Sequence, residues 1–174
     1  MIVAYQGVEG AFSHEACLRF LPDHQPVARS TFSDVAAAVQ LGEADFGMLP
    51  LANNDAGETG VRDLIDRTGL RIIEQAVLPV RMHLLGLSNA TVSQITTVVS
   101  HPIALRQCSE ALLQLSVKTE ETSSTALAAQ ALRNPNRAVL ASETAAKIYG
   151  LAILRRDVHN RTDNATTFAI VSAR

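Results

Sequence analysis

The sequence has few aromatic residues and no tryptophan. Aromatics make up 4% of the 174 residues, yet hydrophobic residues reach 47% and charged residues only 18%. A chain of this composition can bury a sizeable core and is not a disordered segment. Its core must be built from Ala, Val, Leu and Ile, and its length fits one domain or two small lobes.

Positive charge is scarce and scattered. The net charge is −2, and only Lys118 and Lys147 are lysines, the remaining cations being arginines. No block of like charges occurs, and no basic stripe alternates with aromatic residues. We therefore expect no nucleic-acid partner. Arginine suits carboxylate binding, but scattered arginines are typical of a solvated surface.

Signals for metals, nucleotides and membranes are missing. Cys17 and Cys108 lie in predicted helices, match no zinc or redox spacing, and are predicted to be small buried hydrophobes. The five histidines are not grouped as metal ligands, and no phosphate-binding or dinucleotide-binding glycine motif occurs. The N-terminus is predicted to be a strand, and no apolar run is long enough to span a bilayer. We expect a soluble cytoplasmic protein with no membrane partner and no metal.

Short β-prone runs alternate with helical patterns along the chain. This alternation predicts α/β architecture with mainly parallel sheets. Residues 70–87 fit no helical period and are broken at Pro79, which predicts two extended segments that carry the chain between lobes. Residues 44–51 are predicted to form a strand ending at Pro50, and residues 102–115 a single helix beginning at a proline.

Three loops that precede helices are rich in hydroxyls or amides: Gly10 to Ser13, Asn53 to Gly57, and Thr122 to Thr125. Ser13 and the Ser33–Asp34 pair are predicted to cap helices. Free backbone N–H groups at helix N-termini attract anions, although ordinary capping also explains such residues. Three such loops together predict a small anionic ligand in a cleft between two lobes.

A dense polar run, residues 160–167, leads into Phe168 and the apolar tail Ala169–Val171. The tail predicts a buried strand and the run a loop that feeds it. By itself the run is typical of a capped surface turn. Hydroxyls at the mouth of a rigid strand are also well placed to donate protons or bind anions, and the rest of the chain favours that hypothesis.

Six segments resemble the motifs of the prephenate dehydratase family, in the family's order and across nearly the whole chain. They are YQGVEGAFSHEA, ADFGMLPLANNDAG, SHPIALRQC, TSSTALAA, YGLAIL and NRTDNATTF. Each motif alone is weak, and their order and spacing make the set specific.

The resemblance implies a two-lobe fold similar to type 2 periplasmic binding proteins, with the site in the cleft between the lobes. Residues 1–78 with 165–174 would form the first lobe and residues 79–164 the second. It implies conversion of prephenate to phenylpyruvate in phenylalanine biosynthesis, with loss of water and carbon dioxide and no cofactor. A homodimer is expected because family members commonly self-associate. The family's C-terminal regulatory domain, and feedback control through it, are not expected in this chain.

The family's catalytic threonine corresponds to Thr166, which would donate a proton to the departing ring hydroxyl. A threonine is a weak acid, so neighbours must position it and exclude water. The resemblance implies a set of substrate-binding residues. They are Asn53, Ser124, Thr125, Ser13, Ala11, Asn164 and Phe168.

The sequence departs from the family pattern at four positions. Thr167 replaces an arginine, Ala52 a glutamate, Asn54 a serine and Ile103 a glutamine. Loss of both the arginine and the glutamate would leave no unpaired charge, so the two changes are expected to be coupled. These departures keep two alternatives open: a prephenate decarboxylase that spares the hydroxyl, and a non-catalytic binding protein.

Overall fold

The computed structural model of the protein describes residues 1–173 and contains eleven strands and seven α-helices. The strands are β1 Ile2–Gln6, β2 Gln25–Arg29, β3 Phe46–Asn53, β4 Gly57–Glu58, β5 Arg71–Pro79, β6 His83–Gly86, β7 Thr97–Ser100, β8 Lys118–Glu121, β9 Arg137–Ala141, β10 Ala152–Arg155 and β11 Ala165–Ser172. The helices are α1 Phe12–Phe20, α2 Phe32–Gln40, α3 Val61–Thr68, α4 Pro102–Gln107, α5 Ser109–Leu115, α6 Thr125–Ala131 and α7 Glu143–Tyr149. A short 3₁₀ turn spans Val92–Gln94.

The chain divides into two compact units. Unit 1 comprises residues 1–8, 12–80 and the segment from 164 onward, and unit 2 comprises residues 9–11 and 81–163. The predicted two-lobe α/β architecture is confirmed. The short segment 9–11 was not expected in the second unit. There the Ser142 hydroxyl donates to the Gly10 carbonyl and the Tyr149 hydroxyl to the Glu9 carbonyl.

Unit 1 is built on a six-stranded sheet in the order β2-β1-β3-β11-β5, with β4 beside β3. Strand β1 runs parallel to β2 and β3, whereas β11 is antiparallel to both β3 and β5. Apolar side chains cover both faces. One face packs Tyr5, Met48 and Phe168 against α1, and the other packs Leu49 and Val171 against α2 and α3.

Unit 2 is built on a five-stranded sheet in the order β10-β6-β9-β7-β8. Strands β7, β8 and β9 are parallel, and β6 and β10 add antiparallel pairs. Its core packs Leu85 and Val139 of the sheet against alanines of α6 and α7. Both sheets are therefore mixed, and the expectation of mainly parallel sheets is wrong. The antiparallel strands were missed because strand direction depends on distant pairing.

The observed starts of helices α1 and α2 differ from the predicted ones. Helix α1 begins at Phe12, so Ser13 lies in its first turn rather than at its cap. Helix α2 is capped by Thr31, whose hydroxyl accepts from the Asp34 N–H while the Asp34 carboxylate accepts from the Thr31 N–H. This reciprocal capping box outcompetes the predicted Ser33 cap.

Two longer elements also differ from expectation. The predicted helix over residues 102–115 breaks at Cys108 into α4 and α5. Strand β3 continues through Pro50 to Asn53, because a bulge beside Leu51 accommodates the proline. In residues 1–173 no helix is both long enough and apolar enough to cross a membrane.

Candidate active site

Strands β3 and β11 are neighbours inside the unit 1 sheet, and the candidate site lies at the carboxyl end of β3. The antiparallel register places Asn53, the last residue of β3, opposite Thr166, the second residue of β11. The bulge beside Leu51 shifts this register by one residue, because Phe168 pairs with Pro50 while Thr167 pairs with Ala52. A one-residue shift changes the face on which a side chain lies. It thereby brings Asn53 to the face of Thr166.

The Asn53 side chain holds this site together. Its Nδ2 donates to Asn164 Oδ1 at 2.8 Å, to the Ala165 carbonyl at 3.0 Å and to Thr166 Oγ1 at 3.0 Å. Its Oδ1 accepts from the N–H groups of Asp55 and Ala56 at 3.0 and 2.8 Å. Both ends of the amide are engaged, so its orientation is fixed.

The Thr166 hydroxyl is buried, with an exposed fraction of 9% for the residue. Because its oxygen accepts a hydrogen bond from Asn53, its own hydrogen remains free to be donated elsewhere. The arrangement thus turns a threonine into a directed hydrogen-bond donor.

Asn164 contributes a second buried donor. The residue is 3% exposed, and its Oδ1 is occupied by the Asn53 amide. Its Nδ2 is buried and makes no hydrogen bond to any described residue. An unsatisfied buried donor costs about 1–3 kcal/mol, a cost relieved when an acceptor oxygen binds beside it.

Two of the departures, Thr167 and Ala52, lie on the other face of the sheet. Side chains alternate along β11: Phe168 and Ile170 face α1, whereas Ala169 and Val171 face α2 and α3. Thr166 therefore shares the α1 face, and Thr167 points the opposite way. Thr167 is the direct cross-strand neighbour of Ala52. Thr167 and Ala52 thus form one adjacent pair, on the face of the sheet opposite to the Thr166 side chain.

The other predicted site residues divide between the units. Ser13 is a buried residue in the first turn of α1, on the face that carries Thr166. Ala11, Ser124 and Thr125 belong to unit 2, where the Ser124 hydroxyl caps α6 by accepting from the Leu127 N–H. Phe168 is 1% exposed and packs in the core with Tyr5. The Phe168 side chain therefore packs in the core, and its substrate contact stays a prediction.

Asn54, one of the four departures from the family pattern, is also a structural neighbour of the candidate site. Its Oδ1 accepts from the Ala165 N–H at 2.8 Å, and its own N–H donates to the Ala165 carbonyl at 3.1 Å. These bonds fix the start of β11 one residue before Thr166. In the sequence, only the pair of consecutive asparagines hinted at this role. In the structure, Asn53 and Asn54 both hydrogen-bond to residues 164–166.

The two cysteines are buried, and the His101 side chain is held in a helix cap. Burial raises the pKa of both the Cys17 and the Cys108 thiol to about 12, which keeps each protonated and confirms their predicted core role. His101 caps α4 by accepting from the Ile103 N–H, a structural role. Among residues 1–173, no group of three or more His, Cys, Asp or Glu side chains is placed to hold a metal ion.

The sequence matches the prephenate dehydratase family profile over residues 3–174. The arogenate dehydratase/prephenate dehydratase 2 of Arabidopsis thaliana, a chloroplastic protein, is 37% identical over 174 residues, covering 98% of this chain and 46% of the plant protein. A bifunctional N-acyl-homoserine lactone acylase/prephenate dehydratase of Komagataeibacter europaeus is 34% identical over 177 residues, covering 99% of this chain and 63% of that protein. The chain thus spans less than half the length of the plant relative.

Solved structures agree with this match. A prephenate dehydratase from Arthrobacter aurescens in complex with L-Phe is similar with a TM-score of 0.92 at 25% identity, over 100% of this chain and 61% of that one. A periplasmic substrate-binding protein of an ABC transporter from Coxiella burnetii shares the fold alone, with a TM-score of 0.51 at 13% identity over 97% of this chain and 84% of that one. The predicted periplasmic-binding-protein-like fold is confirmed. The chain belongs to the prephenate dehydratase family.

Proposed function

We propose that the chain is a lyase that converts prephenate to phenylpyruvate, a step of phenylalanine biosynthesis. The observation that carries the proposal is the hydrogen bond from Asn53 to the Thr166 oxygen, which leaves the Thr166 proton free for a substrate hydroxyl. The family match over residues 3–174 supports the reaction class.

The chemistry needs one proton donor and a shielded site. The bond between the ring and its carboxylate breaks, and its electron pair enters the ring as carbon dioxide leaves. The ring becomes aromatic as its C–O bond breaks, and the departing oxygen takes a proton from Thr166 to leave as water. A proton from solvent restores the threonine hydroxyl, so one proton is consumed per turnover. Positioning and exclusion of water make such a weak acid useful.

Asn164 fits the role of a substrate-binding donor. Its buried Nδ2 lacks an acceptor in the described chain, and prephenate carries two carboxylates, a keto oxygen and a hydroxyl. A hydrogen bond from this amide to a substrate oxygen would satisfy the donor. Substrate contacts by Ala11, Ser13, Ser124 and Thr125 remain part of the proposal, each tested by the binding affinity of a single-residue variant.

The geometry of the departures removes one argument for decarboxylation without aromatisation. Thr167 and Ala52 face away from the side of β11 that carries Thr166, so their change need not alter proton delivery. Both reactions need a proton, which dehydration delivers to the departing hydroxyl and the alternative delivers to a ring carbon, so identification of the product separates them.

The acylase activity in the name of the Komagataeibacter relative defines a second candidate. Amide cleavage through a covalent intermediate would need an activated nucleophile. The two cysteines are poor candidates, because burial keeps both thiols protonated. We therefore rank the lyase first and include the acylase substrate in the test.

The test is product identification. The purified chain would be incubated separately with prephenate, arogenate and an N-acyl-homoserine lactone, and products identified by mass spectrometry. Phenylpyruvate from prephenate supports the proposal. Phenylalanine from arogenate alone would reassign the substrate, and a non-aromatic keto acid or a released fatty acid alone would overturn it. Prephenate that is bound but unchanged would indicate a binding protein.

A further inference from the structure

Asn54 carries the pairing of β3 and β11 one residue beyond the end of β3. Strand β3 ends at Asn53, and the chain turns at Asn54. The Asn54 N–H still donates to the Ala165 carbonyl at 3.1 Å, and the Ala165 N–H donates to Asn54 Oδ1 at 2.8 Å. In a regular antiparallel pair, two facing residues exchange both bonds between backbone groups. The Asn54 side chain thus takes the place of its own backbone carbonyl, and the ladder continues into the turn.

The bond from Asn54 to the Ala165 carbonyl also affects how Asn53 uses its amide hydrogens. Asn53 Nδ2 carries two hydrogens. Three acceptor oxygens lie within 3.0 Å of it, on Asn164, Ala165 and Thr166. Because the Asn54 N–H already supplies the Ala165 carbonyl, the two hydrogens can be directed at the side-chain oxygens of Asn164 and Thr166. The bond that orients the Thr166 hydroxyl therefore depends on a well-placed Ala165.

We infer that Asn54 is a positioning residue for the reaction, acting through Ala165 on the Thr166 hydroxyl. The inference rests on the proposed lyase function. Ala165 directly precedes Thr166, so the Asn54 side chain that holds the Ala165 N–H also sets where the threonine hydroxyl lies. Proton transfer is sensitive to such placement, because a displacement of about 1 Å can cost about 10²-fold in rate. Asn54 is itself exposed, and this role requires no contact with the substrate.

The test compares steady-state kinetics with prephenate in the wild type and three single variants. Asn54→Ala removes the acceptor for the Ala165 N–H, whereas Asn54→Asp keeps a side-chain oxygen in its place. Asn134→Ala is the matched control in unit 2, because Asn134 Oδ1 accepts from the Asn136 N–H at 2.9 Å, an exposed bond of the same kind. Circular dichroism and urea unfolding would follow the fold and the stability of all four proteins.

We expect Asn54→Ala to lower kcat by roughly 10–10²-fold with little change in KM, because a misplaced hydroxyl slows proton transfer more than it weakens substrate binding. Asn54→Asp should keep most of the wild-type kcat. Asn134→Ala should keep all of it, although both alanine variants lose one hydrogen bond and some stability.

Three outcomes overturn the inference while the proposed function stands. They are a wild-type kcat in Asn54→Ala, an aspartate variant as slow as the alanine variant, and an equal loss of kcat in the Asn134→Ala control, which would mark the effect as one of stability alone. A wild type that forms no phenylpyruvate from prephenate overturns the proposed function, and this inference with it.

Discussion

At the scale of single residues, Asn53 orients the hydroxyl of Thr166, the proposed proton donor. A threonine hydroxyl can accept and donate, and the Asn53 amide uses its oxygen as an acceptor. The orientation of Asn53 is in turn fixed by the N–H groups of Asp55 and Ala56. The resemblance pointed to Asn53 and Thr166 separately, but their hydrogen bond depends on strand register and was not predictable from the sequence.

Replacement of Asn164 by aspartate tests the buried donor. Asn164→Asp puts a carboxylate where Nδ2 has no acceptor, so we expect weaker binding of the dianionic substrate and a free energy of unfolding lower by about 1–3 kcal/mol. Isothermal calorimetry and urea unfolding measure the two effects. Asn134→Asp is the control, since Asn134 is exposed and its oxygen only accepts from the Asn136 N–H. Unchanged affinity in Asn164→Asp would remove Asn164 from the substrate site.

His83 makes the stability of unit 2 depend on pH. Burial lowers its pKa below the ordinary 6.5, an effect that the Asp157 carboxylate partly offsets, and its Nδ1 accepts from the Asp157 N–H at 3.0 Å. Below pH 6.5 the unfolded chain binds a proton at this side chain that the folded chain does not. Stability should therefore fall as the pH drops below 6.5 and level off below the folded pKa.

The substitution His83→Asn keeps an acceptor for the Asp157 N–H but removes the titrating group. We expect urea unfolding of this variant to vary less with pH below 6.5 than that of the wild type. Identical pH profiles for the two proteins would show that His83 does not control the dependence.

At the scale of elements, the bulge in β3 organises the candidate site. It accommodates Pro50 inside a central strand and brings Asn53 opposite Thr166. Apolar runs and breakers predicted most strands, including the break after Pro79 between β5 and β6. The sequence placed Asn53 and Thr166 in loops, because polar residues at strand ends have turn-like composition. Asn53 and Thr166 become strand residues only because β3 and β11 pair with each other as far as these two positions.

The Thr167–Ala52 pair yields a prediction about β3 and β11. Introducing Thr167→Arg and Ala52→Glu together should create a cross-strand ion pair with a coupling energy of about 0.2–1 kcal/mol in unfolding, because the positions are direct neighbours. Turnover should change little, since these side chains face away from Thr166. A double-mutant cycle measures the coupling. A large rise in kcat for the double variant would instead show that the departures had weakened the catalytic site.

At the scale of the whole molecule, unit 1 depends on the last strand of the chain. Strand β11 lies between β3 and β5 and pairs with both, whereas unit 2 is nearly continuous over residues 81–163. The resemblance predicted a first lobe closed by the C-terminal segment. The placement of residues 9–11 in unit 2 rests on bonds from Ser142 and Tyr149, which no local pattern indicates.

Removal of β11 should therefore affect the two units unequally. In a chain ending at Asp163, β3 and β5 lose their common partner, and we expect amide protection in β1 and β3 to disappear. Protection in β7 and β9 should persist. Hydrogen exchange followed by mass spectrometry compares this truncated chain with the full chain. Equal loss in both units would show that they fold as one cooperative body.

The central claim is that the Thr166 hydroxyl supplies the proton. The most direct measurement compares kcat for prephenate in the wild type, Thr166→Val and Thr166→Ser. Valine preserves the shape of threonine, and the Asn53 amide keeps Asn164 Oδ1 and the Ala165 carbonyl as acceptors. We predict that the valine variant loses about 10²–10⁴-fold in kcat while the serine variant retains most of it. A folded valine variant that forms phenylpyruvate at the wild-type rate would contradict the account.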